Sequence, residues 1–165
     1  MDNIIKFWRT SEKPYGCFSN FALFGFTKDG LRYSTSEHYY QSQKTLNKDE
    51  AESIRLAKSA KESKNLASVC TLRPDWESIK YNVMKEALIL KFEQNSSLKK
   101  LLLETNDLVL VEDSPYDYIW GCGKDNTGQN LLGKCLMEVR AYFRKQNGTT
   151  NFSGLSDLCN METVL

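Results

Sequence analysis

The sequence predicts an α+β fold, a mostly helical single domain around a small antiparallel sheet. Capping residues followed by apolar or amphipathic stretches recur from the middle of the chain onward, which is the pattern of successive helices. Strand signals rich in phenylalanine are concentrated near the N-terminus, around the turn sequence Lys28-Asp29-Gly30. No internal repeat interrupts this order. We therefore expect one domain over residues 1–146 and a flexible C-terminal tail over 147–165.

Strands are predicted at three places. Ile4 to Trp8 is typical of a first strand, and Cys17 to Ser34 of a hairpin around the Lys28-Asp29-Gly30 turn. Asn20 is a polar exception in this aromatic stretch, and from local sequence alone it is better explained as a turn amide than as a ligand contact. A short apolar strand from Leu108 to Glu112 ends in acidic residues.

Helices are predicted wherever a capping residue precedes a periodic stretch. Their predicted starts are Thr35 or Ser36, Asn47, Ser59, Pro74, Ser96 and Asn130. The helix that Pro74 opens runs to about Gln94 with apolar residues on two sides, so we expect it to be buried and central. The last helix runs to about Lys145. Its inward stripe is predicted to be Leu132, Cys135, Leu136, Val139 and Phe143.

Length and charge limit the classes of protein to consider. A chain of 165 residues fits one domain with one core. With 22 Lys and Arg against 21 Asp and Glu, the net charge is +1, so nucleic acid would have to bind through a local patch and no membrane is expected as a partner. Because the sequence shows neither a signal peptide nor a spanning apolar stretch, we expect a cytoplasmic or nuclear protein. No obligate protein partner can be inferred.

Metal and disulfide chemistry are not favoured. The five cysteines are odd in number and widely spaced, which indicates reduced thiols. With His38 as the single histidine and no Cys-x-x-Cys pair, a zinc site has almost no ligands, so we predict no metal site and no cofactor. Cys122 lies in a glycine-containing loop, but a catalytic cysteine is not favoured because the single histidine is elsewhere.

The first predicted helix carries reactive side chains along one stripe. The spacing i, i+3, i+4, i+7 places Glu37, Tyr40, Gln41 and Lys44 on a common face. Such side chains are poor core material, so this segment alone supports a solvated face and a functional site equally. His38 points about a quarter-turn away and is interpreted as a structural hydrogen-bonding residue.

A second segment, residues 108–133, passes from the apolar strand through acidic and aromatic residues into a Gly- and Asn-rich loop. Strand ends and helix entrances leave backbone N–H groups free for anionic or polar ligands. Asn130 is a good N-cap for the last helix. A plain capped loop is the alternative explanation.

The two segments together resemble the NADAR family. The resemblance extends from about Ile5 to Phe143, and its specificity lies in the joint occurrence of the motifs in order. The matching residues are Phe18-Ser19-Asn20-Phe21, Thr35-Ser36-Glu37-His38-Tyr39-Tyr40-Gln41 with Lys44, Arg73-Asp75-Trp76, Val83-Met84, Lys91-Phe92, Leu110-Val111-Glu112, Ser114, Asp117, Trp120-Gly121-Gly123, Asn130, Leu132-Gly133 and Leu136-Met137 with Arg140. The sequence departs from the usual pattern at Tyr40, where phenylalanine is common, and at Cys122.

The resemblance implies a hydrolase that cleaves an N-glycosidic, ribosyl C1–N bond. We expect it to remove ADP-ribose from ADP-ribosylated guanine, in nucleic acid or in a nucleotide, and such a molecule is the expected partner. Two alternatives stay open. One is an N-glycosidase that acts on ribosylamino intermediates of riboflavin biosynthesis, and the other is a module that binds ADP-ribose without cleaving it.

Cleavage of a ribosyl C1–N bond develops positive charge on the sugar, so a carboxylate near C1 is needed. Glu37 is the first candidate, either to stabilise that charge or to activate water, and the family pattern adds Asp117. For Glu112 a structural role at the strand end is favoured over catalysis. Lys44 is the third catalytic candidate. Its amine either forms a Schiff base with a ring-opened ribose or, slightly favoured, binds by charge alone.

The predicted substrate-binding set rests mainly on the resemblance. Trp120 is a candidate stacking platform for the leaving base. Gly121 and Gly123 would let the backbone approach the ligand, and Asn130 would lie near a phosphate or ribose. The set is completed by Asn20, Tyr40, Gln41 and Trp76, although Trp76 also fits the hydrophobic core.

Overall fold

The computed structural model describes residues 3–153, with side chains described for residues 3–148. Its strands and helices follow one another along a single domain. In chain order they are β1 (Ile4–Phe7), a 3-10 helix (Tyr15–Phe18), β2 (Phe26–Lys28), β3 (Leu31–Tyr33), α1 (Ser36–Ser42), α2 (Lys48–Arg55), α3 (Ala60–Ala67), α4 (Trp76–Glu93), α5 (Ser96–Glu104), β4 (Val109–Glu112) and α6 (Leu131–Ser153).

The predicted mixed fold, mostly helical with little sheet, is confirmed, but the strands are arranged differently in detail. They form two separate pairs. β2 and β3 make the predicted antiparallel hairpin, with Asp29 and Gly30 at positive φ in its turn. β1 and β4 pair in parallel, with Ile5 opposite Leu110. Parallel pairing suits these two strands because the helices between them supply the long crossover that it requires.

The hairpin is shorter than predicted. Its strands occupy Phe26–Lys28 and Leu31–Tyr33, whereas Cys17 and Phe18 belong to the 3-10 helix. Phe18 is fully buried, and its ring packs edge-on against Phe7 with the ring centroids 5.8 Å apart. Phe18 therefore marks a core contact outside the sheet, which a strand pattern cannot distinguish from a strand residue.

Three predicted helix starts are confirmed by their caps. The Thr35 side chain accepts the backbone N–H of His38, and Asn47 and Ser59 cap α2 and α3 in the same way. Two starts differ by one or two residues, since Asp75 caps α4 instead of Pro74 opening it, and Asn95 precedes α5. Helix α1 ends at Ser42, so Lys44 lies beyond the helix on which we expected it.

Helix α4 is the central element, as predicted. It packs against α1, α5, α6 and β2. The predicted inward stripe of α6 is also confirmed, because Leu132, Cys135, Leu136, Val139 and Phe143 are all fully buried. Burial of each large apolar side chain contributes roughly 1.5–3 kcal/mol, and together these side chains stabilise the packing of α6 against α4 and β4.

The C-terminal region extends the last helix. Helix α6 continues to Ser153, past the predicted end near Lys145, and residues 154–165 of the predicted tail lie outside the described residues. Within the described part of the chain, Cys17, Cys70, Cys122 and Cys135 are free thiols. No helix among residues 3–153 has both the length and the apolar character needed to cross a bilayer.

Candidate active site

A cavity of about 850 Å³ opens between α1, the start of α4 and the loop that follows β4. Its volume falls within the range of about 300–1,000 Å³ that is usual for small-molecule sites. Most of the residues predicted for the site line this cavity, although their sequence positions span about a hundred residues. They are Asn20, Glu37, Tyr40, Gln41, Lys44, Trp76, Asp117 and Trp120.

Helix α1 contributes a buried carboxylate paired with an amide. Glu37 and Gln41 are one helical turn apart, and only 5% and 3% of their surfaces are exposed. The Gln41 Nε2 donates to Glu37 Oε1 at 2.6 Å. The other atom of the amide, Gln41 Oε1, is buried and accepts no hydrogen bond from the described residues. An unpaired buried acceptor beside a cavity is costly unless a ligand donates to it.

Burial raises the pKa of Glu37. The hydrogen bond from Gln41 and the positive charges of Lys64 and Lys44 act in the opposite direction, while the negative charge of Asp117 adds to the rise. Burial is the largest of these effects, so the pKa of Glu37 lies above its ordinary value.

Lys44 reaches the same cavity from the turn after α1. Its backbone is fixed there because the Arg73 N–H donates to the Lys44 carbonyl at 2.8 Å. The Lys44 Nζ lies 5.7 Å from the Tyr40 ring centroid and 5.9 Å from that of Trp76. Burial lowers the pKa of Lys44, and the negative charge of Glu37 limits that fall. The neutral form of the Lys44 amine is therefore more favoured in this half-buried position than it would be for a lysine in water.

Three aromatic rings form one wall of the cavity. Tyr40 packs edge-on against Trp76 and Trp120, with centroid distances of 5.0 Å and 5.4 Å. Tyr81 stacks parallel to Trp120 at 6.3 Å, which fixes the indole plane. Trp76 belongs both to this wall and to the hydrophobic core, so its core role is confirmed and substrate binding by it stays a prediction. Such a wall suits a flat, partly apolar ligand group.

Acidic residues face this wall from the end of β4. Glu112 is the last residue of the strand, and Asp117 follows in the loop. The Asp117 Oδ1 accepts the backbone N–H groups of Ile119 and Trp120 at 2.9 Å and 2.7 Å, so this carboxylate shapes the loop that carries the indole. Burial, with the negative charges of Asp117 and Glu37, raises the pKa of Glu112 to about 8.

Asn20 ties the N-terminus of α1 to the cavity. Its carbonyl accepts the Glu37 N–H at 3.2 Å, and its Oδ1 accepts the Ser36 hydroxyl at 2.8 Å. The Asn20 Nδ2 lies 3.3 Å from the Met84 sulfur. Thioether sulfur is a weak acceptor, so this N–H group is available to a better one.

Gly121, Gly123 and Asn130 do not line the cavity with the other predicted residues. A Cβ at Gly121 would lie 2.8 Å from the Asp117 carbonyl, and Gly123 has φ +70° against the Tyr118 ring. Asn130 binds the strand through both side-chain atoms, accepting from Glu112 N at 3.0 Å and donating to Leu110 O at 2.9 Å. These contacts shape the loop and β4, and substrate binding by the three residues stays a prediction.

The structural role predicted for His38 is confirmed. Its ring is buried, with Nδ1 2.8 Å from Thr35 Oγ1 and Nε2 3.0 Å from the Ala57 carbonyl. Among the residues with described side chains, no group of three or more His, Cys, Asp or Glu is placed to hold a metal ion. Independence of metals stays a prediction.

Two basic residues at the cavity have no signal in the sequence. Lys64 lies on α3, which reads as an ordinary capped surface helix, and Arg9 follows β1. Both are exposed at the rim. Together with Lys44 they put positive charge around a cavity whose floor is acidic, an arrangement that suits a ligand with an anionic group and a reacting centre that becomes positive.

Comparison with known proteins identifies the family. The model of the NADAR domain matches residues 6–144, which include every element from β1 into α6 that lines or supports the cavity. The chain belongs to the NADAR domain family. The fold agrees with this, because the NMR structure of the Escherichia coli protein YbiA superposes with a TM-score of 0.82 at 41% identity, over 89% of each chain.

Relatives of two kinds are found. The N-glycosidase Npun_R5314 of Nostoc punctiforme is 42% identical over 80% of this chain and 88% of its own. The N-glycosidase YbiA of Escherichia coli is 44% identical over 84% of this chain and 88% of its own. The riboflavin biosynthesis protein PYRR of Zea mays is 36% identical over 84% of this chain, which spans only 25% of that larger protein.

Proposed function

We propose that this protein hydrolyses the bond between ribose C1 and a nitrogen atom, with ADP-ribosylated guanine as the substrate. Relatives named N-glycosidases, similar over most of their length, support an enzyme that cleaves such bonds. The observation that carries the proposal is the meeting of a buried carboxylate, Glu37, and a half-buried amine, Lys44, in one cavity. A binding module has no need of these two perturbed groups.

The cavity has a surface suited to each part of this substrate. The wall of Tyr40, Trp76 and Trp120 offers faces and edges for the leaving base. Lys64 and Arg9 at the rim offer positive charge to a diphosphate. The Glu37 carboxylate lines the same cavity, where it would stabilise the developing charge on C1.

Two routes to cleavage are consistent with this arrangement. In the first, Glu37 accepts a proton from water as the water adds to C1, and Lys44 contributes its charge. In the second, the ribose opens to an imine at C1 and the neutral Lys44 amine exchanges onto that carbon, forming a Schiff base that water later hydrolyses. The lowered pKa of Lys44 supports the second route, because the neutral amine is the form that attacks carbon.

A second substrate class has support of its own. Riboflavin biosynthesis proteins from Zea mays and Vibrio vulnificus contain a region similar to this chain, at 36% and 37% identity. Ribosylamino intermediates of that pathway present the same C1–N bond with a smaller anionic group. The same carboxylate and amine would serve, and the rim would bind one phosphate instead of two.

A side-by-side assay tests the proposal. The purified protein is incubated with an ADP-ribosylated guanosine nucleotide and, separately, with a phosphorylated ribosylamino pyrimidine, and products are identified by mass spectrometry. We expect free ADP-ribose and unmodified guanine nucleotide in the first reaction, at a higher kcat/KM than in the second. Faster release of sugar phosphate in the second would reassign the substrate. Binding of both compounds without any product would indicate a module that binds its ligand without cleaving it.

A further inference from the structure

We propose that Glu112 is the general acid of this cavity, the group that gives its proton to the leaving nitrogen. This inference rests on the proposed function, because a proton donor has a role only if the C1–N bond is cleaved. It also reverses the structural role that the sequence favoured for Glu112. Four features of the molecule support it.

The first feature is position. Glu112 lines the same cavity as Glu37 and lies at the end of β4, whereas Glu37 lies on α1. Its backbone is fixed on both sides, by Asn130 Oδ1 bound to its N–H at 3.0 Å and by the Cys122 N–H bound to its carbonyl at 2.9 Å. A catalytic acid needs such a rigid support to hold its proton against the leaving atom.

The second feature is the absence of hydrogen bonds between the Glu112 carboxyl group and the other described residues. None of the hydrogen bonds among the described residues involves its side-chain oxygens, whereas Glu37 Oε1 accepts from Gln41 and Asp117 Oδ1 accepts from two backbone N–H groups. Donors fixed on a carboxylate favour its ionised form. Of these three acids, Glu112 is therefore the one whose carboxyl group has no partner among the described residues and can donate a proton to a ligand.

The third feature is electrostatic. Burial raises the pKa of Glu112 to about 8, and the negative charges of Asp117 in the loop and Glu37 on α1 add to this effect. Lys64 of α3 and the buried Lys91 of α4 oppose this rise without cancelling it. At neutral pH the group is mostly protonated, which is the state a general acid requires.

The fourth feature is independent of the carboxylates. Gln41 Oε1 is a buried acceptor without a partner in the same cavity, which indicates that a ligand donor group belongs there. A sugar hydroxyl is such a donor. A sugar held at Gln41 and Glu37 on α1 would lie in the cavity that Glu112 also lines.

The step balances with one molecule of water. The C1–N bond breaks, its electron pair stays on nitrogen, and nitrogen takes the proton of Glu112. Water forms the new bond to C1 and releases its proton to Glu37. Glu112 ends as a carboxylate and Glu37 as a carboxylic acid, and exchange with solvent restores both. In the Schiff-base route, Glu112 would protonate the same leaving nitrogen when the Lys44 amine displaces it.

A variant with glutamine removes the proton donor and keeps the shape. Because the Glu112 side chain makes no hydrogen bond with the described residues, Glu112→Gln is expected to fold. Asp113→Asn is the matched control, since Asp113 is the adjacent acid but pairs with Lys6 at 3.1 Å and does not line the cavity. We expect kcat to fall about 10²- to 10⁴-fold in Glu112→Gln and to stay near that of wild type in Asp113→Asn.

The pH profile distinguishes a proton donor from a structural residue. Wild-type kcat/KM is expected to fall as the pH rises past about 8, because the acid of the free enzyme then loses its proton. The residual activity of Glu112→Gln should lack this alkaline limb, while Asp113→Asn should keep it. A Glu112→Gln enzyme with wild-type kcat and the same limb would overturn the assignment, and cleavage by the wild type would leave the proposed function standing.

A titration without substrate completes the test. The side-chain carboxyl carbon of Glu112 is followed by ¹³C NMR in the whole protein, its signal identified by its loss in Glu112→Gln. A midpoint near 8 is expected. A midpoint near the ordinary value of 4.5 would overturn the inference even if no N-ribosyl substrate were cleaved, and absence of cleavage by the wild type would count against the proposed function separately.

Discussion

Glu37, Tyr40 and Gln41 line the same cavity because one turn of helix places their side chains together. Helical spacing in the sequence therefore predicts this part of the cavity. Lys44 also lines the cavity although α1 ends two residues before it, so its predicted place on the helix was wrong and its catalytic role stays a prediction. The raised pKa of Glu112 was not predictable, since it depends on burial and on acidic charges that the fold brings near it.

Lys44 allows a direct test of the covalent route. If its amine attacks C1 of an opened ribose, borohydride added during turnover should reduce the imine and leave a stable mass adduct on the peptide that contains Lys44. Lys44→Arg should then be inactive, because a guanidinium stays protonated and cannot act as the nucleophile. An active Lys44→Arg enzyme without an adduct would assign the lysine to charge stabilisation alone.

Trp120 is the residue that tests the aromatic wall. Trp120→Ala should raise KM by an amount that corresponds to about 1–3 kcal/mol if the leaving base stacks there. Trp120→Phe is the control, because it keeps a ring beside Tyr40 and Tyr81 and should lose less. Steady-state kinetics on both variants, with circular dichroism to verify folding, provide the comparison. An unchanged KM in a folded Trp120→Ala variant would assign the indole to packing only.

Glu112 also links the site to stability. Its pKa rises on folding from 4.5 to about 8, so the folded protein holds this proton more tightly than the unfolded chain does. As the pH rises through that window the unfolded chain ionises first, and stability falls. Glu112→Gln should therefore gain stability over wild type as the pH increases from below 4.5 to about 8. Urea unfolding of both proteins at a pH below 4.5 and at a pH of about 8 measures this change. A stability difference between variant and wild type that is equal at both pH values would contradict the prediction.

Elements were predictable where local chemistry determines them. The caps at Thr35, Asn47 and Ser59 and the turn at Asp29 and Gly30 are set by neighbouring residues, and all four are confirmed. The partner of a strand is not local information. Nothing near Ile4 indicates that β1 will lie parallel to β4, more than a hundred residues away, and this pairing is what brings the end of β4 to the cavity.

Asn130 tests how the loop is attached to β4. It has φ 50°, a left-handed conformation that glycine adopts freely, so Asn130→Gly removes both side-chain hydrogen bonds without adding strain. We expect a loss of about 1–3 kcal/mol in the free energy of unfolding, since Leu110 O and Glu112 N lose their partners. Denaturant unfolding measures it. A raised KM with unchanged stability would instead support the predicted role of Asn130 in substrate binding.

At the scale of the whole molecule, fold and site depend on one arrangement. The apolar layer of α4 and α6 supports β1 and β4 from one side, and α1 packs against α4 so that its acidic and amide side chains face the strand end. Composition and periodicity were enough to predict a mixed, mostly helical domain. The family resemblance supplied the chemistry, because spacing alone left a solvated face and a functional site equally supported.

The account as a whole depends on Glu37 being the carboxylate at C1. The most direct measurement is single-turnover cleavage of ADP-ribosylated guanosine nucleotide by wild type and Glu37→Gln, with the dissociation constant of each measured by calorimetry. Since glutamine keeps the shape and removes the charge, we expect similar affinity and a rate lower by about 10²- to 10⁴-fold. A Glu37→Gln enzyme that binds and cleaves at the wild-type rate would contradict the account.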